Sequence, residues 1–558
     1  MSDGDVREAT TERASETTDF DAVVVGAGFS GLYMLHRLRE LGLSVRVYEK
    51  GDGVGGTWYW NRYPGARCDS ESHIYCYSFD EDLYEEWEWS ERYPEQPEIL
   101  EYLNFAADEL DLRRDIAFET EVTSASYDDD AATWTIETAD GERVETRFFI
   151  SAVGCLSEPF KPDFDGLDTF EGEWYHTARW PHDGVDLDGQ RVGVIGTGST
   201  GIQFISETAS RAGHLTVFQR TPNYAVPARN RPLEAEEYEE IRENYDAIWE
   251  QARNSRLGMP FDPDENSARG LSEAEIHDIL EDRWQQGGFR FLHAFEPGHV
   301  LSNADTNAII SEFIREKIRE RVDDPDTAEK LVPTDHPYGA KRPPMDYNDY
   351  YGTYNRDDVS LVDVEENPIT EITPDGVRTT ADEYDLDVLV FATGFDAMTG
   401  ALLAMDIRGR DGLPLEEKWA DGPTTYLGLG MHDFPNLFTI TGPQSPSVLT
   451  NMPMSIEQHV EWITDCIAYM DREGYDRIEA TAESEQQWVS QTNMLADNML
   501  FSEAKSWYRG ENVPGKPSIF TPFPGGLEMY RGICERVAED DYDGFELREA
   551  TDAPTVEQ

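Results

Sequence analysis

An α/β fold with two Rossmann-like dinucleotide-binding domains, the second carrying a helical insertion, is predicted by three observations on the 558-residue chain. A GxGxxG turn occurs twice, each copy ends a short apolar run, and each opens a stretch of helical periodicity leading to another apolar run. A lone glycine pattern is weak. The order strand, turn, helix, strand around both copies gives them meaning.

In the first unit residues 20–25 form the opening strand, residues 32–41 the helix and residues 44–49 the second strand. Gly26 permits a tight turn, Gly28 lets the backbone approach a pyrophosphate at the helix N-terminus, and Gly31 allows helix and strand to pack closely, with Phe29 and Ser30 between them. Glu49 ends the second strand, where a carboxylate accepts hydrogen bonds from unphosphorylated ribose hydroxyls, which suits FAD. The second unit runs from residues 191–195 through Gly196, Thr197, Gly198, Ser199, Thr200 and Gly201, then a helix to about Arg211 and a strand at residues 215–218. The register that held Glu49 now holds neutral Gln219, followed by Arg220 and Thr221. A carboxylate would repel a 2′-phosphate, whereas Arg220 pairs with one and the Thr221 hydroxyl assists, so NADPH is expected here.

Residues 226–331 change to acidic helices. Ser272 to Glu275 reads as a capping box, and Ile309, Ile310, Phe313, Ile314 and Ile318 share one helical face. Whether this insertion only packs on the second nucleotide domain or reaches a substrate cavity stays open. Strand signals resume at Val359. The buried run at residues 387–395 resembles that at 148–154, and such runs carry the chain between the two domains. The expected division is a disordered acidic tail (1–18), an FAD domain (19–155 with 386–545), an NADPH domain (156–225 with 332–385), the insertion (226–331) and a polar tail (546–558).

Composition narrows the function classes. The chain has 113 Asp plus Glu against 46 Lys plus Arg and a formal charge of −67, so nucleic acid and anionic membranes are not expected partners. Eight of the basic residues are lysines, a pattern resembling halophile cytoplasmic proteins, whose self-repulsion concentrated salt screens. With 39% apolar residues and 11% aromatics the chain can bury large cores. No apolar stretch reaches membrane-spanning length, and the first residues lack an export signal. Five scattered cysteines suit reduced thiols in a cytoplasm, and no Cys and His spacing predicts a metal site.

After the first unit comes Gly55-Gly56-Thr57-Trp58, followed by Tyr63-Pro64-Gly65 and ending at Asp69. Before the second comes Phe170, Gly172, His176, Trp180 and Pro181 in the spacing FxGxxxHxxxWP. Together these resemble the two fingerprints of the Baeyer–Villiger monooxygenases, nearest the phenylacetone and steroid monooxygenase branch, over about residues 20–537. The resemblance implies tightly held FAD, reduction by NADPH, capture of O₂ as a flavin C4a-peroxide, and attack on a small ketone to give an ester or lactone. It also implies roles. Arg342 would be the fixed cation beside the peroxide, since a guanidinium stays charged where a buried anion alone would be protonated. Asp69 would hold that arginine, and Lys341 would join Arg220 and Thr221 at the 2′-phosphate. Gly56, Thr57, Trp58, Tyr75 and Trp507 would contact cofactor, the last from a mobile loop at residues 506–516. Pro446, Ser447, Val448 and Leu449 would line the ketone pocket. Phe170, Gly172, His176 and Trp180 would govern domain motion rather than touch substrate.

Two alternatives remain at this level: a flavin monooxygenase acting on nitrogen or sulfur, and a non-catalytic FAD- and NADPH-binding redox sensor. A flavin disulfide reductase is disfavoured because Cys68 and Cys76 lack redox-pair spacing. A monomer or small homo-oligomer is expected.

Overall fold

Eight strands make the first sheet of the computed structural model, which describes residues 18–261, 268–295 and 298–549. Phe20–Val25 is central, flanked in parallel by Val45–Tyr48 and Arg143–Ser151. Its run of β-branched side chains is buried because helix Phe29–Glu40 covers one face and a cluster around Trp134, Phe149 and Leu437 covers the other. The hairpin Val122–Asp128 and Thr133–Thr138 extends this sheet in antiparallel fashion, and Leu437–Thr439 returns late in the chain to lie parallel to Arg143–Ser151.

The second sheet is wholly parallel, in the order Val359–Asp363, His214–Gln219, Arg191–Ile195, Val388–Phe391, Glu173–His176. The expected boundary at residue 386 is therefore corrected: Val388–Phe391 still belongs to the second sheet. Its four apolar residues are all buried, and Arg191–Ile195 and Glu173–His176 pair with its backbone on either side. The two similar runs are interior strands of their respective sheets, and after each the next strand in the chain belongs to the other sheet. The polar tail expected from residue 546 is also corrected, because Phe545–Glu549 pairs antiparallel with Tyr475–Ala480 and covers part of that edge. Residues 1–17 and 550–558, on which the other tail expectations fall, lie outside the described residues.

The insertion leaves and returns through one short parallel pair, Val226–Pro227 with Met345–Asp346. Within it Ser272 caps Glu273–Gln286 with the reciprocal bonds of a capping box. Helix Ala304–Arg321 buries Ile310, Phe313, Ile314 and Ile318, with Ile309 at the edge of that face. Lys341 and Arg342 stand four and three residues ahead of the return strand, at the foot of the insertion.

Candidate active site

The two glycine turns are built alike. Gly26 and Gly196 have φ of +106° and +113°, which an L side chain adopts only under strain. A Cβ on Gly31 would collide with the Gly26 carbonyl, and one on Gly201 with the Gly196 carbonyl. Each would also stand 3.6 Å from the methyl of the alanine that follows the neighbouring strand, Ala152 in one unit and Ala392 in the other. Helix and strand thus meet at the same distance twice, and the helix N-terminus is aimed at the same spot above each sheet.

The turns differ where ligands would differ. A Cβ on Gly28 would stand 3.2 Å from Cα of Gly56, so the second glycine motif closes over the first turn. Glu49 is buried; its Oε1 accepts from the Gly51 amide at 2.7 Å and its Oε2 from the Ala27 amide at 2.8 Å. Burial pushes its carboxyl upward and the two amide bonds oppose the shift. Each oxygen keeps a lone pair for a ribose hydroxyl. Phe29 meets Tyr75 edge-on at 5.4 Å, and the Trp58 indole N–H donates to the Tyr75 hydroxyl at 3.2 Å. Ser30 is buried in the first helical turn, while Thr57 opens the short helix Thr57–Trp60 with its side chain exposed.

Around the second turn a Cβ on Gly198 would meet nothing within 4 Å, and Ser199 and Thr200 are half-buried beside that open face. The Thr197 hydroxyl donates to the Thr221 carbonyl at 3.0 Å, tying the turn to the end of the second strand. Arg220 is exposed and has no carboxylate partner among the described residues. The Lys341 ammonium sits 3.4 Å from the Asp335 carboxylate. Burial lowers its pKa, Asp335 raises it again, and the nearby Arg220 charge lowers it further. Arg220 and Lys341 are therefore near enough for the one charge to act on the other.

Asp69 and Arg342 meet although 273 positions separate them in the chain. One carboxylate oxygen of Asp69, Oδ2, accepts from Nε at 2.8 Å and from Nη2 at 2.6 Å, and Nη1 donates to the Val448 carbonyl at 2.6 Å. Burial would lower the guanidinium pKa, but the Asp69 carboxylate overrides it and holds the group above its ordinary value. The ring of Phe289 lies 5.0 Å from the guanidinium carbon. Val448 belongs to the single helical turn Ser447–Leu449, which follows Pro446. Pro446, Ser447 and Val448 are buried and Leu449 is half-buried, so the expected pocket segment and the arginine are in direct contact.

The other fingerprint residues are elsewhere. Glu173–His176 is the edge strand of the second sheet. Phe170 packs against the cluster of Phe391, Ile372 and Leu386, and a Cβ on Gly172 would collide with the Asp387 carbonyl. His176 contacts the Phe160 carbonyl at 3.2 Å and accepts from the Ala178 amide at 3.1 Å; burial pushes its pKa down to about 4, so it is neutral. Trp180 is buried against Phe204. Trp507 is half-buried and packs on Tyr508, and it is Tyr508 that interacts with Arg342; burial raises the Tyr508 hydroxyl to about 12 against the field of that arginine.

Several contributors escape a reading of the sequence. Gln203, on the helix of the second unit, accepts from the Tyr63 hydroxyl at 2.7 Å and donates to the Arg67 carbonyl at 3.1 Å, joining the first motif to the second nucleotide unit. Phe289 and Tyr508 reach Arg342 from distant segments. Asn512 donates to the Phe395 carbonyl at 2.7 Å, fastening the late loop to the crossing segment. The one signal for Phe289 was the pair of glycines just before it.

The chain is 45% identical over 526 residues to a Baeyer–Villiger monooxygenase of Pseudooceanicola batsensis, covering 94% of this chain and 95% of the relative. The chain belongs to the Baeyer–Villiger monooxygenase family. A family model described as flavin-binding monooxygenase-like matches residues 21–229. The chain is also 46% identical to phenazine N-monooxygenase PhzNO1 of Lysobacter antibioticus, over 96% of this chain and 98% of that one. A solved structure of oxidized steroid monooxygenase bound to NADP is similar at a TM-score of 0.90 and 51% identity, over 95% of this chain and all of that one. Among the described residues no helix is long and apolar enough to cross a membrane.

Proposed function

We propose that Arg342, held by Asp69 and by the Val448 carbonyl, is the fixed cation of an FAD- and NADPH-dependent enzyme that inserts one atom of O₂ beside a ketone carbonyl. The balance is ketone, O₂, NADPH and a proton giving ester or lactone, NADP⁺ and water. The observation carrying this is the half-buried guanidinium, which two of its donors fix on Asp69 and a third fixes on the Val448 carbonyl of the pocket segment. Bound FAD supplies the reduced ring that activates O₂. The protein residues do the rest. Arg342 cannot lose its proton at working pH, so it stabilises an anionic oxygen without exchanging protons with it. Asp69 fixes its plane, and Pro446 to Leu449 bring the carbonyl carbon within reach.

The first cradle, with Gly26, Gly28, Phe29, Ser30, Gly31, Glu49, Gly56, Thr57, Trp58 and Tyr75, holds FAD. The second, with Gly196, Thr197, Gly198, Ser199, Thr200, Gly201, Arg220, Thr221 and Lys341, holds NADPH. Trp507 covers the bound nucleotide, and Phe170, Gly172, His176 and Trp180 support the second sheet as it shifts. The enzyme works in the cytoplasm as a monomer or small homo-oligomer on small ketones, without nucleic acid or membrane. A second reading, oxidation of a ring nitrogen, is favoured by the relative named for phenazine N-oxidation.

The deciding assay offers linear, cyclic and steroid ketones and an aza-aromatic to the holoenzyme with NADPH in concentrated salt, with products identified. Ester or lactone is expected, and Arg342→Ala should abolish it while FAD content stays unchanged. N-oxide as the sole product, or full ester formation by Arg342→Ala, would overturn the respective assignment.

A further inference from the structure

The segment that carries Asp69 is clamped a second time two residues later. Glu71 is buried, and its carboxylate receives two guanidinium groups. Arg92 donates to Oε1 from Nε at 3.2 Å and from Nη2 at 2.9 Å. Arg290 donates to Oε1 from Nη1 and to Oε2 from Nη2 at 3.4 Å. Arg92 faces Glu71 because the chain after Asp69 runs beside residues 92–94, with the Ser72 amide donating to the Arg92 carbonyl at 2.8 Å and the Cys68 amide to the Pro94 carbonyl at 3.2 Å. Arg290 comes from the helical insertion, 219 positions away.

The turn that delivers Arg290 is Gly287-Gly288-Phe289-Arg290. Both glycines have positive φ, +72° and +67°, and both are wedged. A Cβ on Gly288 would collide with the Tyr93 hydroxyl, and one on Gly287 would press on the Pro227 carbonyl. Two consecutive left-handed residues reverse the chain in a space no side chain could share. The result is that adjacent side chains of one turn reach both ends of the same short segment: Phe289 lies under Arg342, which Asp69 holds, and Arg290 lies on Glu71. Arg92 also donates to the Gln286 carbonyl at 2.9 Å, so the turn is held at its root as well.

We propose that this turn is the positioning element of Arg342, with Glu71 and Arg290 as the latch that docks the helical insertion onto the Asp69 segment and Phe289 as the wedge that sets the guanidinium. The inference rests on the role given to Arg342 above. Glu71 and Arg290 are positioning residues: they act on the guanidinium through Asp69 and Phe289. An undocked turn would leave NADPH oxidation running while oxygen ends as hydrogen peroxide, since O₂, NADPH and a proton then give H₂O₂ and NADP⁺.

Arg290→Met is the informative variant because it leaves Glu71 paired with Arg92 and keeps bulk over Phe261, which the Arg290 guanidinium now covers at 4.3 Å. In the holoenzyme, NADPH oxidation should stay within about twofold of the parent. Ester formed per NADPH should fall at least tenfold, with peroxide making up the difference, and Arg290→Lys should recover most of the loss. Amide hydrogen exchange of Arg290→Met should quicken at residues 68–74 and 286–292. A general loss of structure would lower both rates together, and coupling within twofold of the parent with unchanged exchange would overturn the latch. If Arg290→Met does not accumulate, Phe289→Leu tests the wedge by the same ratio, and full coupling in it would refute the positioning role. If the parent forms no ester from any ketone, the functional reading fails instead, and the exchange measurement, which needs no ketone, still decides the docking.

Discussion

Under the proposed function, nucleotide choice turns on Arg220. It is exposed and unpaired with any carboxylate among the described residues, and it shares its surroundings with Lys341. Arg220→Ala is expected to weaken NADPH by about 1 to 3 kcal/mol, the worth of a charge-assisted bond, and to leave NADH nearly unchanged. Steady-state KM values for the two nucleotides check this, and an equal effect on both would contradict the 2′-phosphate assignment. Arg220 was readable from sequence because it follows a register counted from a glycine turn. Tyr508 and Phe289 were not, since nothing in a linear sequence marks which aromatic ring ends beside a guanidinium held by a residue hundreds of positions away.

Elements show how much local rules specify and how little they say about partners. Gly201 is required because a Cβ in the first turn of the helix Ser199–Thr208 would collide with the Gly196 carbonyl. Gly201→Ala should overpack that contact and cost about 1 to 3 kcal/mol. Calorimetry should show a lowered Tm and weaker NADP⁺ binding with flavin content retained; undiminished NADP⁺ affinity would argue against the shared geometry of the two cradles. The long helix Met452–Glu473 poses a different question. Its Glu457 is buried against Ser78, whose amide donates to Oε1 at 2.5 Å, while Arg253 of the insertion donates to the Ser78 hydroxyl at 2.7 Å. Burial pushes the Glu457 carboxyl from 4.5 up to about 7. Between those values the folded chain keeps a proton that the unfolded chain releases, so stability should fall as pH rises from about 4.5 to 7 and level off above. Glu457→Gln should flatten this slope, measured as urea midpoints at pH 5 and pH 7. A slope unchanged by the substitution would place the linkage on another group.

At the scale of the molecule, a charge of −67 on 558 residues makes self-repulsion a general force against the folded state. It acts over distances that molar salt shortens to a few ångströms. Tm is therefore expected to rise steeply from dilute buffer to multimolar KCl, and a flat profile would remove the halophilic reading. Salt should also weaken NADPH binding at the basic spot of Arg220 and Lys341, so stability and nucleotide affinity should move in opposite directions over the same titration.

By itself the sequence determined the two nucleotide units, their glycine turns, the likeness of the runs at residues 148–154 and 387–395 and the register of Arg220, and contiguous motifs resembling the family's marked Asp69, Lys341 and Arg342 as candidates. Each depends on spacing within a few tens of residues or on a contiguous motif, and backbone sterics fix such spacing locally. Tertiary structure alone decided that Val388–Phe391 stays in the second sheet, that Phe545–Glu549 pairs back onto Tyr475–Ala480, and that one glycine turn of the insertion meets both Arg342 and Glu71. Strand neighbours and long-range ion pairs depend on which surfaces bury one another. That choice is made by packing across the whole chain, which no local pattern records.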